Sequence, residues 1–305
     1  MKKFRLFNGL VITVALLGLP VISSTAFGAD DVEEVVAVGS RREARSVGDS
    51  PAPVDIITGS DFVNQGAMDL PDMIRTLVPS FNVNTQPISD AATLIRPANL
   101  RGLPPDNMLV LVNGKRRHRG AVISFLGSGI SDGAQGPDIS AIPSIALKQV
   151  EVLRDGASAQ YGSDAIAGIM NFVYKDNSEG TQLEIRTGEY KEGDGDSWRI
   201  AANVGMPFTS AGFANLSIEL QDSKATSRSV QRADAQGLYD GGNTAIWNYP
   251  EPAQIWGSPD VSDDYKFVVN LGVSLDESKD FYLFGNYGER NVLGGFFFRN
   301  PTNRG

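Results

Sequence analysis

The 305-residue chain contains no cysteine. That removes disulfides, thiolate metal sites and cysteine nucleophiles together, without fixing the compartment. Histidine is nearly as scarce, His118 being the only one. One imidazole builds neither a zinc site nor an obvious triad, and no supporting constellation accompanies it. Catalytic residues, metal ligands and cofactors are all expected to be none, and the chain is not expected to be an enzyme. An excess of positive charge is missing too. The formal net charge is -9, which repels phosphate backbones and excludes nucleic acid as a partner. The Gly-rich stretches lack a phosphate-cradling G-x-x-x-x-G-K-[ST] loop. After residue 30 there is no run of 18 or more apolar residues. The mature chain therefore has no transmembrane helix, and any membrane span must be a β-barrel.

What is present begins with an address. Lys2, Lys3 and Arg5 precede an apolar core at 10–21, and small residues follow at 23–29. Residues 1–28 read as a secretory signal peptide, with cleavage after Ala26 or Gly28. Three textures follow. Residues 29–49 are acidic, then basic, then Gly/Ser-rich. Residues 50–176 mix helical and strand patterns. Asp61 is expected to begin a helical stretch. Asp69 caps a second, with Pro71 in its first turn and Leu70, Met73, Ile74 and Leu77 on one face; Pro79 stops it. Residues 108–112 form an apolar run ending in Asn113-Gly114, a strong hairpin signal. Short strands are expected at 150–153 and 168–174, and 158–167 is a short helix or irregular. This mixture predicts an α+β domain with a small mixed sheet and short helices.

Beyond residue 181 the pattern changes to long alternation. Trp198, Ile200, Ala202, Val204 and Met206 share one face, and Arg199, Ala201, Asn203 and Gly205 the other. Segments at 214–221 and 265–275 alternate likewise, and 181–190 and 280–290 do so more weakly. Five segments of about ten residues with period two have the length of transmembrane β-strands. A soluble β-sandwich shares that period. The connections 191–196, 207–212, 223–264 and 276–279 place the long one on the same side as 191–196, where a membrane barrel allows length, and this favours the barrel.

The 50–176 region resembles the plug domain of TonB-dependent outer-membrane receptors. The resemblance is carried by six blocks in order: 50–57, 69–74, 78–83, 100–116 with its Arg101-Gly102 and Asn113-Gly114, 142–156 with Glu151-Val152-Leu153-Arg154, and 157–172 with Tyr161-Gly162. It departs at Asp155, inserted between Arg154 and Gly156, and at Lys148. The resemblance implies an α+β plug followed, at 181–305, by about the first five antiparallel transmembrane strands of an incomplete β-barrel. It also implies location in the Gram-negative cell outer membrane, with the plug inside the barrel.

Further expectations come with it. Glu33, Glu34, Val35, Val36, Ala37 and Val38 resemble a Ton box, a periplasmic segment that pairs edge-on with TonB and its inner-membrane motor complex. Arg101 and Arg154 sit where the family's plug arginines meet barrel-wall glutamates; ordinary pairing within the plug is the alternative. Gln86, on the loop 84–98, and Phe125, Ser128, Asp132 and Gln135, on the loop 119–138, are candidates to meet a small-molecule or metal-chelate ligand. The aromatics Tyr239, Trp247, Tyr249 and Trp256 lie on the long loop. The basic run 115–119 either attracts an anionic ligand or is a solvated hairpin end. The function implied is TonB-dependent uptake of a scarce solute, such as an iron-siderophore complex, cobalamin or an oligosaccharide, across the outer membrane. The alternative is a structural or adhesive outer-membrane protein that retains a plug-like domain without importing. Five strands cannot close a 22-stranded wall, so the chain is expected to be a fragment, a truncated gene or half of a split gene, not competent alone.

Overall fold

The computed structural model describes residues 35–36, 45–46, 53–83, 93–124, 129–154, 157–249, 251–276, 278–295 and 297–302. Two short strands, β1 (Val35–Val36) and β2 (Arg45–Ser46), pair antiparallel, with Val35 opposite Ser46. β3 (Val54–Thr58) leads directly into α1 (Gly59–Val63). Thr58 is the N-cap in extended backbone, and its amide donates to Asp61 Oδ2 at 2.8 Å. The helix expected to begin at Asp61 thus begins earlier, because Asp61 is the far member of a capping box and not the cap. α2 (Leu70–Leu77) is capped by Asp69, whose carboxylate accepts from the Asp72 amide at 3.1 Å. Leu70, Met73 and Ile74 are its buried face. Val78 turns extended, as the residue before a proline prefers. β4 (Phe81–Val83) then pairs with β5 (Ala98–Leu100).

β6 (Met108–Val112) is buried along its whole length. Asn113 and Gly114 adopt φ of 47° and 74°, the paired positive values of a type I′ turn, and β7 (Lys115–Arg116) folds back on β6. β8 (Leu147–Leu153), α3 (Ser158–Tyr161) and β9 (Gly168–Tyr174) complete the domain. The sheet order is β3-β8-β9-β6-β7, with β6 and β9 parallel and the other neighbours antiparallel. This is the expected small mixed sheet with short helices. Gly168 has φ of 135°, and a Cβ there would lie 2.3 Å from the Leu153 carbonyl oxygen. Only glycine lets β9 start so close against the end of β8. Apolar side chains fill both faces of the sheet. Val110, Val150, Val152, Met170 and Phe172 pack with Met73 and Ile74 of α2. Val54, Leu109, Leu111, Leu153 and Ile169 form the opposite layer. Each such side chain contributes about 1.5–3 kcal/mol by burial.

The second sheet is a simple meander. β10 (Thr181–Gly188), β11 (Ser197–Pro207), β12 (Gly212–Ser223), β13 (Asp260–Asp276) and β14 (Lys279–Leu293) lie in chain order, every pair antiparallel. One connection, between β12 and β13, is long and contains a helix, α4 (Ala233–Asp240), that the sequence pattern did not disclose. It opens on the same end of the sheet as the 189–196 connection; the other two connections are tight turns.

Cross-strand partners share a face, and here the polar face is the buried one. Arg199 and Ala201 are 0 % exposed, Asn203 3 %, Asn215 2 %, Glu219 2 % and Asn270 2 %. Ile200, Leu216, Phe267 and Leu283, on the other face, are 38–44 % exposed. A soluble sandwich would bury the second set and wet the first. The sheet curves its polar face around the α+β domain and presents apolar side chains outward, as a lipid-facing wall does.

Candidate functional site

The chemistry of this molecule is concentrated where the inner domain meets the polar face of the long sheet. Arg199 on β11 is at its centre. It donates to Glu219 Oε2 from Nε at 2.9 Å and from Nη2 at 2.7 Å, to Glu184 Oε2 at 3.0 Å, and to the hydroxyl of Ser144 at 2.7 Å. Glu184 and Glu219 come from the strands on either side, β10 and β12, so the sheet register itself assembles the cluster. Ser144 belongs to the inner domain, in the turn before β8. Lys266 on β13 completes the set, 2.7 Å from Glu219 Oε1 and 3.4 Å from Asp264. Charges removed from water in this way are tolerable only because each meets an opposite partner.

Arg186 on β10 makes a different contact. Its guanidinium donates to four main-chain carbonyls at the end of α1 and just past it: Phe62 at 3.1 Å, Val63 at 3.0 Å, Gln65 at 2.5 Å and Ala67 at 3.3 Å. Helix C-termini leave such carbonyls without partners in their own helix. A planar, always-charged donor fork suits them. The carboxylate of Glu184 lies 3.4 Å behind it.

Neutral groups continue the seam toward the short-turn end. Asn215 reaches Asn177 at 2.8 Å, Asn270 donates to the Lys175 carbonyl at 3.0 Å, and Asn113 in the hairpin turn donates to Asn270 and to the Tyr282 hydroxyl. Arg117 donates to Asn286 at 2.7 Å. Apolar contact is local: Val268 joins the inner domain's core, and Phe284 meets Tyr174 edge-on with centroids 6.1 Å apart. Burial pushes the Tyr174 hydroxyl up to about 12, so it stays a neutral phenol.

Toward the long-loop end the seam opens into a cavity of about 490 Å³, lined by Gly66, Met68 and Asp72 on one side and Gln221, Asp264 and Arg290 on the other. Beside it, Arg96 lies between Asp69, at 2.5 Å, and Asp72, at 2.9 Å. Burial, opposed by Arg96 and aided by the charge of Asp72, pushes Asp69 up to about 6. Burial also raises Asp72, but the hydrogen bond and charge of Arg96 outweigh it and hold that carboxyl below its ordinary value.

The residues singled out from sequence are scattered around this seam. Of the Ton-box-like segment, Val35 and Val36 form β1; Glu33, Glu34, Ala37 and Val38 lie outside the described residues. Arg101 donates to the Arg154 carbonyl at 2.8 Å, and Arg154 pairs with Asp55 at 2.5 Å, both contacts within the inner domain. Gln86, Phe125 and Ser128 lie outside the described residues. Asp132 is exposed, while the Gln135 amide donates to the Gly120 carbonyl at 2.7 Å and so helps fold its own loop. In the basic run, Arg116 pairs with Asp164, and Arg119 lies 3.3 Å from Asp106. Those guanidiniums already have carboxylate partners; His118 is exposed. Trp247 and Tyr249 stand 60 % and 61 % exposed on the long loop, held by Gln231, which donates to the Trp247 carbonyl and to the Tyr249 hydroxyl.

Arg186, Arg199 and Lys266 are cations central to the seam and are not among the residues that the sequence pattern picks out as sites. Arg199, Glu219 and Lys266 did appear as polar members of alternating segments. Nothing in sequence pairs them until the strand register is known. Arg186 had no signal, since its acceptors are main-chain carbonyls.

Residues 46–169 match the family model for the TonB-dependent receptor plug domain. A probable TonB-dependent siderophore receptor PirA of Acinetobacter baumannii is 30 % identical over 158 residues, which is 50 % of this chain and 21 % of that protein. The vitamin B12 transporter BtuB of Vibrio cholerae is 30 % identical over 189 residues, 61 % of this chain and 28 % of its own length. The alignments thus span about a fifth to a quarter of these relatives. Among solved structures, the Pseudomonas aeruginosa ferric enterobactin receptor PfeA superposes with a TM-score of 0.57 at 19 % identity, covering 79 % of this chain and 33 % of that one. The siderophore receptor PirA of Acinetobacter baumannii gives 0.55 at 22 % identity, covering 78 % and 32 %. These likenesses establish the fold: a plug domain followed by antiparallel wall strands.

Proposed function

This chain carries the plug domain of the TonB-dependent receptors, and on that premise we propose that it gates uptake of a scarce solute across the outer membrane. The observation that carries the reading is the inverted burial of the wall. Its polar face is spent on the plug, and its apolar face is left for lipid. Such a plug obstructs a lumen by hydrogen bonds and ion pairs, contacts that water can replace when the plug shifts. An outer membrane holds no energy source of its own, so the displacing work has to enter from the periplasmic side. The segment from Glu33 to Val38 suits that role: a Val-rich strand that a partner can extend by edge-on pairing. β1 shows that Val35 and Val36 do adopt extended, paired backbone. Arg101 and Arg154 are proposed to meet glutamates of a closed wall; Asp132 and the exposed aromatics of the long loop are proposed to meet solute. Transport requires the five-stranded sheet to be part of such a closed wall, since open edges in lipid leave backbone groups unsatisfied.

The solutes named for the relatives supply the probes. The full-length receptor, expressed in cells lacking their own receptors, is offered radiolabelled ferric enterobactin or cyanocobalamin. Deleting residues 32–38 is expected to abolish energised accumulation while leaving surface binding intact. Accumulation that survives the deletion would sink the TonB-driven mechanism. Absence of binding and accumulation for any tested solute would instead favour a structural outer-membrane role.

A further inference from the structure

The seam between plug and wall is not uniform, and its asymmetry points to where it opens. On the wall side every inward-facing rung of β12 from Asn215 onward is polar: Asn215, Ser217, Glu219, Gln221 and Ser223. Neighbouring β11 offers Ser197, Arg199 and Asn203, and β13 offers Asp264, Lys266 and Asn270. The upper rungs face the cavity of about 490 Å³. The next rung inward is Glu219 and Lys266, roughly 7 Å further along the strands, and there the ion cluster closes the space. Gln221 is 6 % exposed and its carbonyl oxygen has no hydrogen-bond partner among the described residues. An unmet acceptor at this depth is unfavourable unless water or a solute reaches it.

The plug side of the cavity is the loop joining α1 to α2, and Arg186 is what holds that loop to the wall. It grips the carbonyls of Phe62, Val63, Gln65 and Ala67, immediately before the lining residue Met68. Met68 in turn lies against Gly188, where an added Cβ would stand 3.2 Å from the Met68 methyl. Arg186 on β10 thus ties the α1–α2 loop to one side of the cleft, while Arg290 on β14 bonds the plug at Ser140, at 2.8 Å, on the other.

We propose that the seam between the plug's 62–72 segment and β10–β13 is the opening through which a hydrophilic solute passes, with the clasp of Arg186 as its latch. The proposal rests on the transport reading. It adds where the plug parts from the wall and what class of solute the gap admits. The acidic and basic groups along it balance, which favours a polar solute over one of strong single charge. Arg186 acts here as a positioning residue, touching plug backbone and no solute.

The 305 residues contain no cysteine, so an engineered thiol is unambiguous within them. Ser217→Cys, one rung below the ion cluster, and Asn286→Cys, on β14 away from the cavity, are placed singly in the protein in intact cells. The probe is a membrane-impermeant, sulfonated methanethiosulfonate. Position 217 is expected to react slowly, and Arg186→Ala to speed it by about tenfold or more, the factor expected when charged hydrogen bonds holding a closed state are lost. Arg186→Lys keeps the charge but not the fork, gives a smaller rise, and serves should the alanine variant not fold. Position 286 should not change. Joining Met68→Cys to Gly188→Cys with a short bifunctional thiol reagent should return position 217 to its slow rate. An unchanged rate at 217, an equal rise at 286, or insensitivity to the cross-link each overturns the seam assignment while leaving transport standing. If instead the rates behave as expected but the cross-link leaves accumulation of cyanocobalamin undiminished, the seam is not the solute's path.

Discussion

The plug and the wall are both five-stranded sheets, built with opposite burial. The plug sheet hides apolar side chains on both faces: β6 is buried throughout, with Val110 in one layer and Leu111 in the other. The wall hides Arg199, Glu219 and Lys266 and exposes Ile200, Leu216 and Phe267. The plug behaves as a water-soluble protein would. The wall behaves as one whose outer solvent is oil and whose inner face is covered by the plug of its own chain. The seam therefore has no continuous hydrophobic drive. It is held by specific bonds that can be exchanged for water.

The sharpest way to break that contrast is to remove the charge at its centre. Arg199→Ala leaves the carboxylates of Glu184 and Glu219 facing each other without their shared cation, and should cost about 3–5 kcal/mol. Ser144→Ala, which deletes only the plug's neutral contact to Arg199, should cost about 1 kcal/mol. Urea unfolding of the protein in lipid vesicles measures both. Equal, small losses would mean that the cluster is wet and the seam already open.

The outward face offers the next largest effect. Leu216 lies near the middle of β12 and is 43 % exposed. In a bilayer, Leu216→Arg should destabilise the wall by about 2–4 kcal/mol, as a charge near the membrane midplane does. In a sheet that faces water, the same change costs next to nothing. A negligible effect in vesicles would return the soluble-sandwich reading to consideration.

The contrast also explains what was legible in sequence. Alternation located all five wall strands, because one apolar face per strand is a local signal. It misplaced ends where the pattern fades: β13 begins at Asp260, before the alternating segment expected from Tyr265, because a polar stretch pairs with the end of β14. It missed α4, whose sequence Ala233–Asp240 has a glycine inside and no apolar stripe. The plug was legible as a chain of motifs. The seam was not. Arg199 meets Glu184 and Glu219 through register, and Arg186 meets carbonyls that any sequence would supply. The arginines chosen by resemblance bond within the plug here: Arg154 takes Asp55, and Arg101 takes the Arg154 carbonyl.

The smallest predicted effect compares two arginines, each set between two carboxylates. Arg199 joins wall to plug, whereas Arg96 with Asp69 and Asp72 lies inside the plug at the edge of the cavity. Asp69 is pushed up to about 6 from an ordinary 3.8. The folded plug therefore keeps a proton there at pH values where the unfolded chain has lost it. Stability should fall as pH rises from about 4 through about 6, by no more than about 1 kcal/mol per pH unit, and level off above. Asp72 is shifted the other way. Its contribution is present at neutral pH and is lost only as pH falls below the ordinary carboxylate value. Between those limits Asp69 is the member of this pair that titrates. Asp69→Asn keeps a side-chain oxygen for the α2 cap and cannot titrate. Its melting temperature, measured on the protein in lipid vesicles from about pH 4 to 8, should fall less between about pH 4 and 6 than that of the unaltered protein. Parallel curves across that range would mean that the corner is solvated and that Asp69 titrates as an ordinary surface carboxylate.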